Sequence, residues 1–345
     1  MAPKAAESGW QGMAQHRGPW ARLLWPLSLL YGALVRWRLH SAPSQRGAPR
    51  LPLPVIVIGN VVVGGAGKTP TTMAVVRHLS RQGWTPGVVS RGHGRRDQSP
   101  ASVELASDPL AVGDEPLLIR RSTGVPVWVG RQRVDAARAL LAAHPLTDVL
   151  VCDDGLQHLP LHGDLRIAVF DDRGLGNGWL LPAGLLREPW PIRPPTRAPQ
   201  LVLIHGQPFD ASALPMPNGT DVFFAQRELA TVAVDALGAS RPLAELQDQP
   251  VLAVAAIARP ERFFEMLTVL GVPIARSVAL PDHASASVIE AAIDAWHGHV
   301  LCTEKDLVKL GGASQGASVW AVPLKVDIDA GFFDAIDRAL NGLRS

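Results

Sequence analysis

Residues 55–79 read VIVIGNVVVGGAGKTPTTMAVVRHL: an apolar β-type run, a glycine-rich bend, then Gly67-Lys68-Thr69 opening a helical pattern. A phosphate-binding loop requires that order. Glycines let main-chain N–H groups close on an anion, and the helix N-terminus adds its positive dipole end. Gly64, Gly65, Ala66 and Gly67 would line the cradle. Lys68 would reach the β/γ-phosphates and the Thr69 hydroxyl would ligate Mg²⁺. An ordinary glycine turn is the competing reading, and the adjacency of strand, GKT and helix weighs against it.

The usual pattern G-x-x-x-x-G-K-[ST] wants glycine at position 62, where this chain has Val62. Its glycines at 64, 65 and 67 are similar to the K-G-G-x-G-K-[ST] loops of ATPases that position division sites, partition DNA and reduce nitrogenase. Those loops carry a signature lysine just before the glycine pair. Here that residue is Val63, so a nucleotide-sandwich dimer is not expected.

At 345 residues, with 47% hydrophobic and 19% charged residues, the chain is folded and long enough for two domains. The formal net charge is only +2, yet residues 1–50 hold seven Lys/Arg against one acid, Glu7. A nucleic-acid partner is not expected, since that would spread basic surface over the folded body. The basic residues instead bracket an apolar stretch, Leu23 to Val35. As a helix its thirteen residues reach about 20 Å, short of the ~30 Å hydrocarbon core, so it should not span. A long polar leader and following arginines also make it a poor signal peptide. Its apolar residues lie nearly all round. Two readings stay open: a monotopic helix dipping into one leaflet with Trp20, Trp25, Tyr31 and Trp37 near the interface, or a helix capping the protein's own core. The two cysteines, Cys152 and Cys302, follow aliphatic runs; neither a disulfide framework nor a zinc spacing is present, as suits a reducing compartment.

Strand patterns at 55–58, 87–90, 125–129, 148–152, 165–170 and 201–204 alternate with helical patterns at 70–79, 115–121 and 134–143. Continuous aliphatic strands joined by helices mean a parallel sheet covered on both faces. A proline-rich passage over 181–195 reads as extended loop. Beyond about residue 215, short strands at 221–224 and 231–234 lead into a second set: strands 251–257, 300–302 and 319–322, and helices 261–270, 287–297 and 331–340. The expected fold is α/β: a P-loop NTPase-like parallel sheet flanked by helices, with a second, smaller α/β lobe. The expected division is a membrane-associating segment 1–45, a P-loop core 46–225 and a smaller lobe 226–345.

Ligands of such sheets collect beyond the carboxyl ends of the strands. Asp153 and Asp154 end one strand, where an acid would approach Mg²⁺ directly or through water. Ser90-Arg91-Gly92-His93-Gly94-Arg95 ends another. Asp114 stands at the start of a helix, where a plain N-cap is a real alternative to catalysis.

Together GNVVVGGAGKTP, SRGHGR, VGDEP, GRQR, DDGLQH, LLPAGLLREP, PDH and TEKD, in this order, resemble the tetraacyldisaccharide 4′-kinases of lipid A biosynthesis over about nine-tenths of the chain. One departure is His93, where members commonly carry tyrosine. The resemblance implies an enzyme on the cytoplasmic face of the bacterial inner membrane, peripheral or monotopic. It would move the γ-phosphate of ATP, with Mg²⁺, to the 4′-hydroxyl of tetraacyldisaccharide 1-phosphate, giving lipid IVA. No obligate protein partner is inferred. Carried over, Lys68 and Thr69 bind phosphate and metal, with Asp153 and Asp154 on the metal side. Asp114 becomes an acceptor-side carboxylate paired with His283, Lys68 and Asp154 complete the catalytic set, and Arg187, Arg131 and Arg133 become candidates for phosphate contacts. Glu188 is a candidate for metal support, and a solvated role stays open for Arg133. Thr303-Glu304-Lys305-Asp306 differs in order from the guanine-reading motif of GTPases, and a base- or ribose-side role is the expectation.

Two other classes compete. A membrane-targeted regulatory P-loop ATPase is opposed by Val63 and by the LREP and PDH segments. A GTP-dependent metal-insertion chaperone would want Cys/His clusters that the sequence lacks.

Overall fold

A computed structural model describes residues 10–41, 49–158, 160–192, 198–206, 214–246, 249–310 and 318–344. Lys4, Glu7, Arg46 and the end of the proline-rich passage, 193–195, lie outside them. Among the described residues one sheet has nine strands, in the order Leu324–Ile328, Asp221–Leu229, Leu201–His205, Leu165–Asp171, Val55–Gly59, Val149–Cys152, Pro86–Ser90, Val127–Val129, Ala101–Ser102. The seven inner strands are parallel and the two outermost antiparallel. Val55 to Ile58 are each at most 1% exposed, as a strand covered on both faces must be. Successive side chains alternate between faces. Ile56 and Ile58 join Val75, Val76 and Leu79 of helix Lys68–Arg81 and Leu117 and Ile119 of helix Asp114–Thr123. Val55 and Val57 join Leu140 of helix Arg133–Ala143 and Leu185–Leu186 of the proline-rich passage.

A second sheet, six-stranded among the described residues, runs Ser240–Pro242, Val232–Val234, Ser318–Val322, His299–Thr303, Val251–Ala255, Ile274–Ala279. Its own core gathers Phe263 and Leu267 of helix Pro260–Val269 against Val251, Ala253 and Leu301.

The chain does not stay in this second lobe to its end. Strand Leu324–Ile328 pairs antiparallel with Asp221–Leu229, and helix Ala330–Arg344 packs Phe332, Ile336 and Leu340 into the first core. The smaller lobe therefore stops near residue 323, not at 345. The reason is long-range: Leu324–Ile328 has half-exposed alternation and finds its partner only 95 or more positions back along the chain, which local pattern cannot register. The chain crosses between lobes twice, side by side, with the Ala230 N–H donating to Pro323 O at 2.8 Å.

The N-terminal helix spans Pro19–Ser41, about 35 Å at 1.5 Å per residue, and continues through Pro26. Ala21, Ser28 and Gly32 are buried on one side, and Ser28 Oγ donates to Leu180 O at 2.9 Å. Trp20, Leu23, Leu27, Leu30, Leu34 and Trp37 form an exposed stripe at helical spacing, each 51–69% exposed. The all-round apolar pattern thus has two faces, one capping the protein's own core and one open. No helix among the described residues is long and apolar enough to cross a membrane.

Candidate active site

Strand Val55–Gly59 runs into the glycine bend, and helix Lys68–Arg81 begins beyond it with Gly67 left-handed at φ 95° and no side-chain cap. Its first N–H groups are left for an anion, the condition for phosphate binding at a helix start. The two valines that depart from the usual motif also have an explanation. Val62 forms an antiparallel bridge with Leu186, and the Val63 N–H donates to Leu185 O at 2.9 Å. The LREP passage is thereby laid along the loop, and the Arg187 N–H donates to Val61 O at 2.7 Å.

Neighbouring strands deliver the rest at their carboxyl ends. Lys68 Nζ donates to Asn60 Oδ1 at 3.1 Å and lies 3.6 Å from Asp154 Oδ1. Arg187 Nη1 meets the same Asp154 oxygen at 3.5 Å. Burial opposes ionisation of Asp154, but Lys68, Arg187 and Arg133 outweigh it and hold its carboxyl below the ordinary range. Asp153 is shifted the other way. Burial, then Glu115 and Asp154, push it up to about 7, and its oxygens accept from Thr72 Oγ1 at 2.9 Å and Ser90 Oγ at 3.2 Å. Glu188 is 3% exposed and accepts from Gln157 Nε2 at 2.8 Å. Arg133 is buried, donating to Asp154 O at 3.2 Å, which removes the solvated alternative for it. Burial, then Arg133, Arg91 and Arg38, push His158 down to about 3, so it stays neutral among cations.

On the facing lobe, His283 Nδ1 lies 3.1 Å from Asp114 Oδ2. Although burial disfavours the charged form of Asp114, the His283 hydrogen bond and Lys305 and Lys309 hold its carboxyl well below the usual range. The same hydrogen bond raises His283, against burial and Lys305. Asp114 does not act as an N-cap: Gly113 occupies that place, without a side-chain bond. His283 sits at φ 61°, a left-handed position uncommon for a side chain. His93, the family departure, sets its ring 5.3 Å from that of His283. The TEKD segment also lands here: Lys305 Nζ is 3.0 Å from Glu115 Oε1 and 3.8 Å from Asp114 Oδ2.

Lys68, Asp114, Asp153, Asp154, Arg187, Glu188 and His283 all line one cavity of about 1300 Å³ between the lobes. Sequence reading missed two residues that hold its walls. His205, at the end of Leu201–His205, takes Thr71 Oγ1 at 2.7 Å behind the loop. Arg227 donates to Ala66 O at 3.3 Å. The only local signal for either is a polar residue within or ending an apolar strand.

A main-chain phosphate cradle facing a carboxylate–imidazole pair across a cleft is the equipment of a P-loop phosphotransferase. The family model described as tetraacyldisaccharide-1-P 4′-kinase, LpxK, matches residues 20–341, and the chain belongs to that family. It is 52% identical over 337 residues to the tetraacyldisaccharide 4′-kinase of Acidovorax sp. (strain JS42), covering 97% of this chain and 95% of that one. With the enzyme of that name from Delftia acidovorans it shares 46% over 344 residues, covering 99% and 97%. Among solved structures, LpxK from Aquifex aeolicus in complex with ATP superposes with a TM-score of 0.75 at 26% identity, covering 93% of this chain and 99% of that one.

Proposed function

We propose that this chain, as a tetraacyldisaccharide 4′-kinase, moves the γ-phosphoryl group of ATP to the 4′-hydroxyl of tetraacyldisaccharide 1-phosphate, giving lipid IVA, with Asp114 and His283 taking the hydroxyl proton. The observation that carries this reading is the 3.1 Å contact between His283 Nδ1 and Asp114 Oδ2, made across the lobes on the cavity that Lys68 also lines. With Nδ1–H donating to the carboxylate, the Nε2 lone pair is left as the proton acceptor, and Asp114 supports the imidazolium that forms. Lys68 and Arg187 place positive charge where the transferred group gathers negative charge, and Asp154 sets their positions. Closing the lobes excludes water from the transfer.

The oxygen donors suit magnesium. Thr69, Asp153, Asp154 and Glu188 line the cavity, and among the described residues no three His, Cys, Asp or Glu gather into a cage. Mg²⁺ keeps waters and takes phosphate oxygens, so a partial protein set is what it uses. When bound, the ion would neutralise charge on the β- and γ-phosphates.

The open stripe of the N-terminal helix, flanked by Arg22, Arg36 and Arg38, supports docking on the cytoplasmic leaflet of the inner membrane, where a four-chain lipid substrate stays. Tyr31, Trp37, Arg38, Arg91 and Arg131 line the cavity on that side and are the groups we assign to the phosphorylated sugar.

The test is direct. Purified protein, MgATP and tetraacyldisaccharide 1-phosphate should yield a lipid gaining one phosphate at the 4′ position. ATP hydrolysis with no phosphorylated lipid would sink the reading in favour of a regulatory ATPase.

A further inference from the structure

Behind the carboxylate–imidazole pair lies a buried ion pair that the reaction as described does not use. Helix Glu304–Leu310 of the smaller lobe carries Asp306 and Lys309 three positions apart, on one face. Asp306 is fully buried. Its Oδ2 accepts from the Ala256 N–H at 3.0 Å and from Thr303 Oγ1 at 2.7 Å, and its Oδ1 accepts from Lys309 Nζ at 3.2 Å. The carboxylate is thus fixed to the ends of two central strands before it holds the lysine.

The Lys309 side chain is only 7% exposed and lies behind the cavity wall, not on it. A buried ammonium has three donors that each want a partner. Besides Asp306, Lys309 Nζ donates to Ala284 O at 3.2 Å and faces Asp114 Oδ2 at 3.8 Å. That oxygen is the one His283 Nδ1 meets at 3.1 Å. Ala284 in turn closes the bend that presents His283: its N–H donates to Pro281 O at 3.0 Å, and His283 stands inside at φ 61°. Backbone in that region persists only where its surroundings over-determine it. Lys309 supplies such a constraint, and it reaches the carboxylate of the facing lobe with the same atom.

We infer that Lys309, held by Asp306, is a positioning residue for the transfer: it fixes the Ala284 carbonyl and the Asp114 carboxylate together, and so keeps His283 Nδ1 on Asp114. The inference rests on the reading of Asp114 and His283 as the base. Lys309 touches no reacting atom and keeps its three protons. The proton that moves is the hydroxyl's, from oxygen to His283 Nε2 as the O–P bond forms.

Steady-state lipid phosphorylation by the purified full chain, with MgATP and tetraacyldisaccharide 1-phosphate, tests this. Lys309→Met keeps the apolar stem and removes every donor. Its kcat should fall about 10- to 100-fold, the cost of a misplaced base, with KM for ATP unchanged. Because that variant leaves Asp306 buried without its cation, Lys309→Met is also made with Asp306→Asn, which removes both charges and keeps an oxygen for Ala256 and Thr303. The double variant carries the same expectation and decides the matter should the single one fail to fold. Asp306→Asn alone leaves the lysine on Ala284 and Asp114 and should lose less. Placed on His283→Ala, Lys309→Met should cost nothing further, whereas a lysine with only a structural role would add its own loss.

The pH profile supplies a readout that a loss of folded protein would not move. His283 is surrounded by Asp114 and Glu115, by Lys305 and Lys309, by Asp282 and by His93. The Asp114 hydrogen bond raises His283, so loosening it in Lys309→Met should move the acid limb of kcat/KM to lower pH. Loss of a positive charge with the contact intact would move that limb to higher pH. Wild-type kcat in a folded lysine variant, an acid limb unmoved or moved upward, a further loss on His283→Ala, or a loss in Asp306→Asn equal to the double variant's overturns the inference. Normal lipid phosphorylation in His283→Ala overturns the base itself. A slow His283→Ala beside lysine variants of wild-type kcat overturns only the positioning role.

Discussion

Gly67 and His205 are fitted to each other. A Cβ on Gly67 would stand 2.8 Å from His205 Cδ2, at a φ of 95° that side chains rarely adopt. The Thr71 hydroxyl donates to Gly67 O at 2.8 Å, so it accepts from His205 Nε2–H. Burial, then Arg227, keep this histidine neutral by pulling it well below its ordinary range. Gly67→Ala should therefore abolish measurable ATP binding in calorimetry while the rest of the fold persists. His205→Ala should raise the KM for ATP more than it lowers kcat, and His205→Gln, which keeps a donor, should recover part of the difference. The catalytic pair carries a signed pH dependence. Asp114 raises His283 above 6.5, and a base must be unprotonated, so activity grows as pH rises through that elevated value. Asp114→Asn should shift the acid limb of kcat/KM to lower pH and drop the plateau by about 10²–10⁴. Lys68 and Thr69 were legible because their neighbours in sequence are their neighbours in space. Asp114 and His283, 169 residues apart, were legible only through the family resemblance, since no local pattern joins two lobes.

At the scale of elements, buried parallel strands announced themselves as aliphatic runs, whereas edge strands did not. Ile274–Ala279 is half exposed, and Leu324–Ile328 mixes lysine and aspartate with its apolar residues. Their pairing is decided by what lies opposite, and that is absent from a local window. The helix over Pro19–Ser41 carries its two faces at interleaved positions, which is why it read as apolar all round. Replacing Leu23, Leu27, Leu30 and Leu34 by glutamine should release the protein from anionic vesicles in a flotation assay. Because those side chains are exposed, the melting temperature should move little. Ser28→Leu on the docked face should act oppositely: Ser28 Oγ also accepts from Ala183 N at 3.0 Å, and its loss should cost about 1–3 kcal/mol of stability by thermal unfolding.

Across the whole molecule, charged contacts hold the lobes together at both ends of the cleft. At one end are the Asp114, Glu115, His283 and Lys305 contacts. At the other, Arg259 of the second lobe meets Asp171 at 3.3 Å and Asp172 at 2.8 Å, and Arg262 also pairs with Asp172. The two adjacent crossings at Ala230 and Pro323 leave one line about which the lobes can turn. Asp172→Ala should therefore favour the open form, seen as a larger radius of gyration in solution scattering and a higher KM for ATP.

Tyr31 offers its hydroxyl to the carbonyl of Arg187, and the amide of that same Arg187 is bonded to Val61 at the root of the glycine bend. A single residue is thus a mechanical relay between the greasy N-terminal rod and the seat of the triphosphate. Trimming the rod to obtain a better-behaved protein would take away a strut as well as an anchor. Nucleotide affinity, measured far from any lipid, should register the cut.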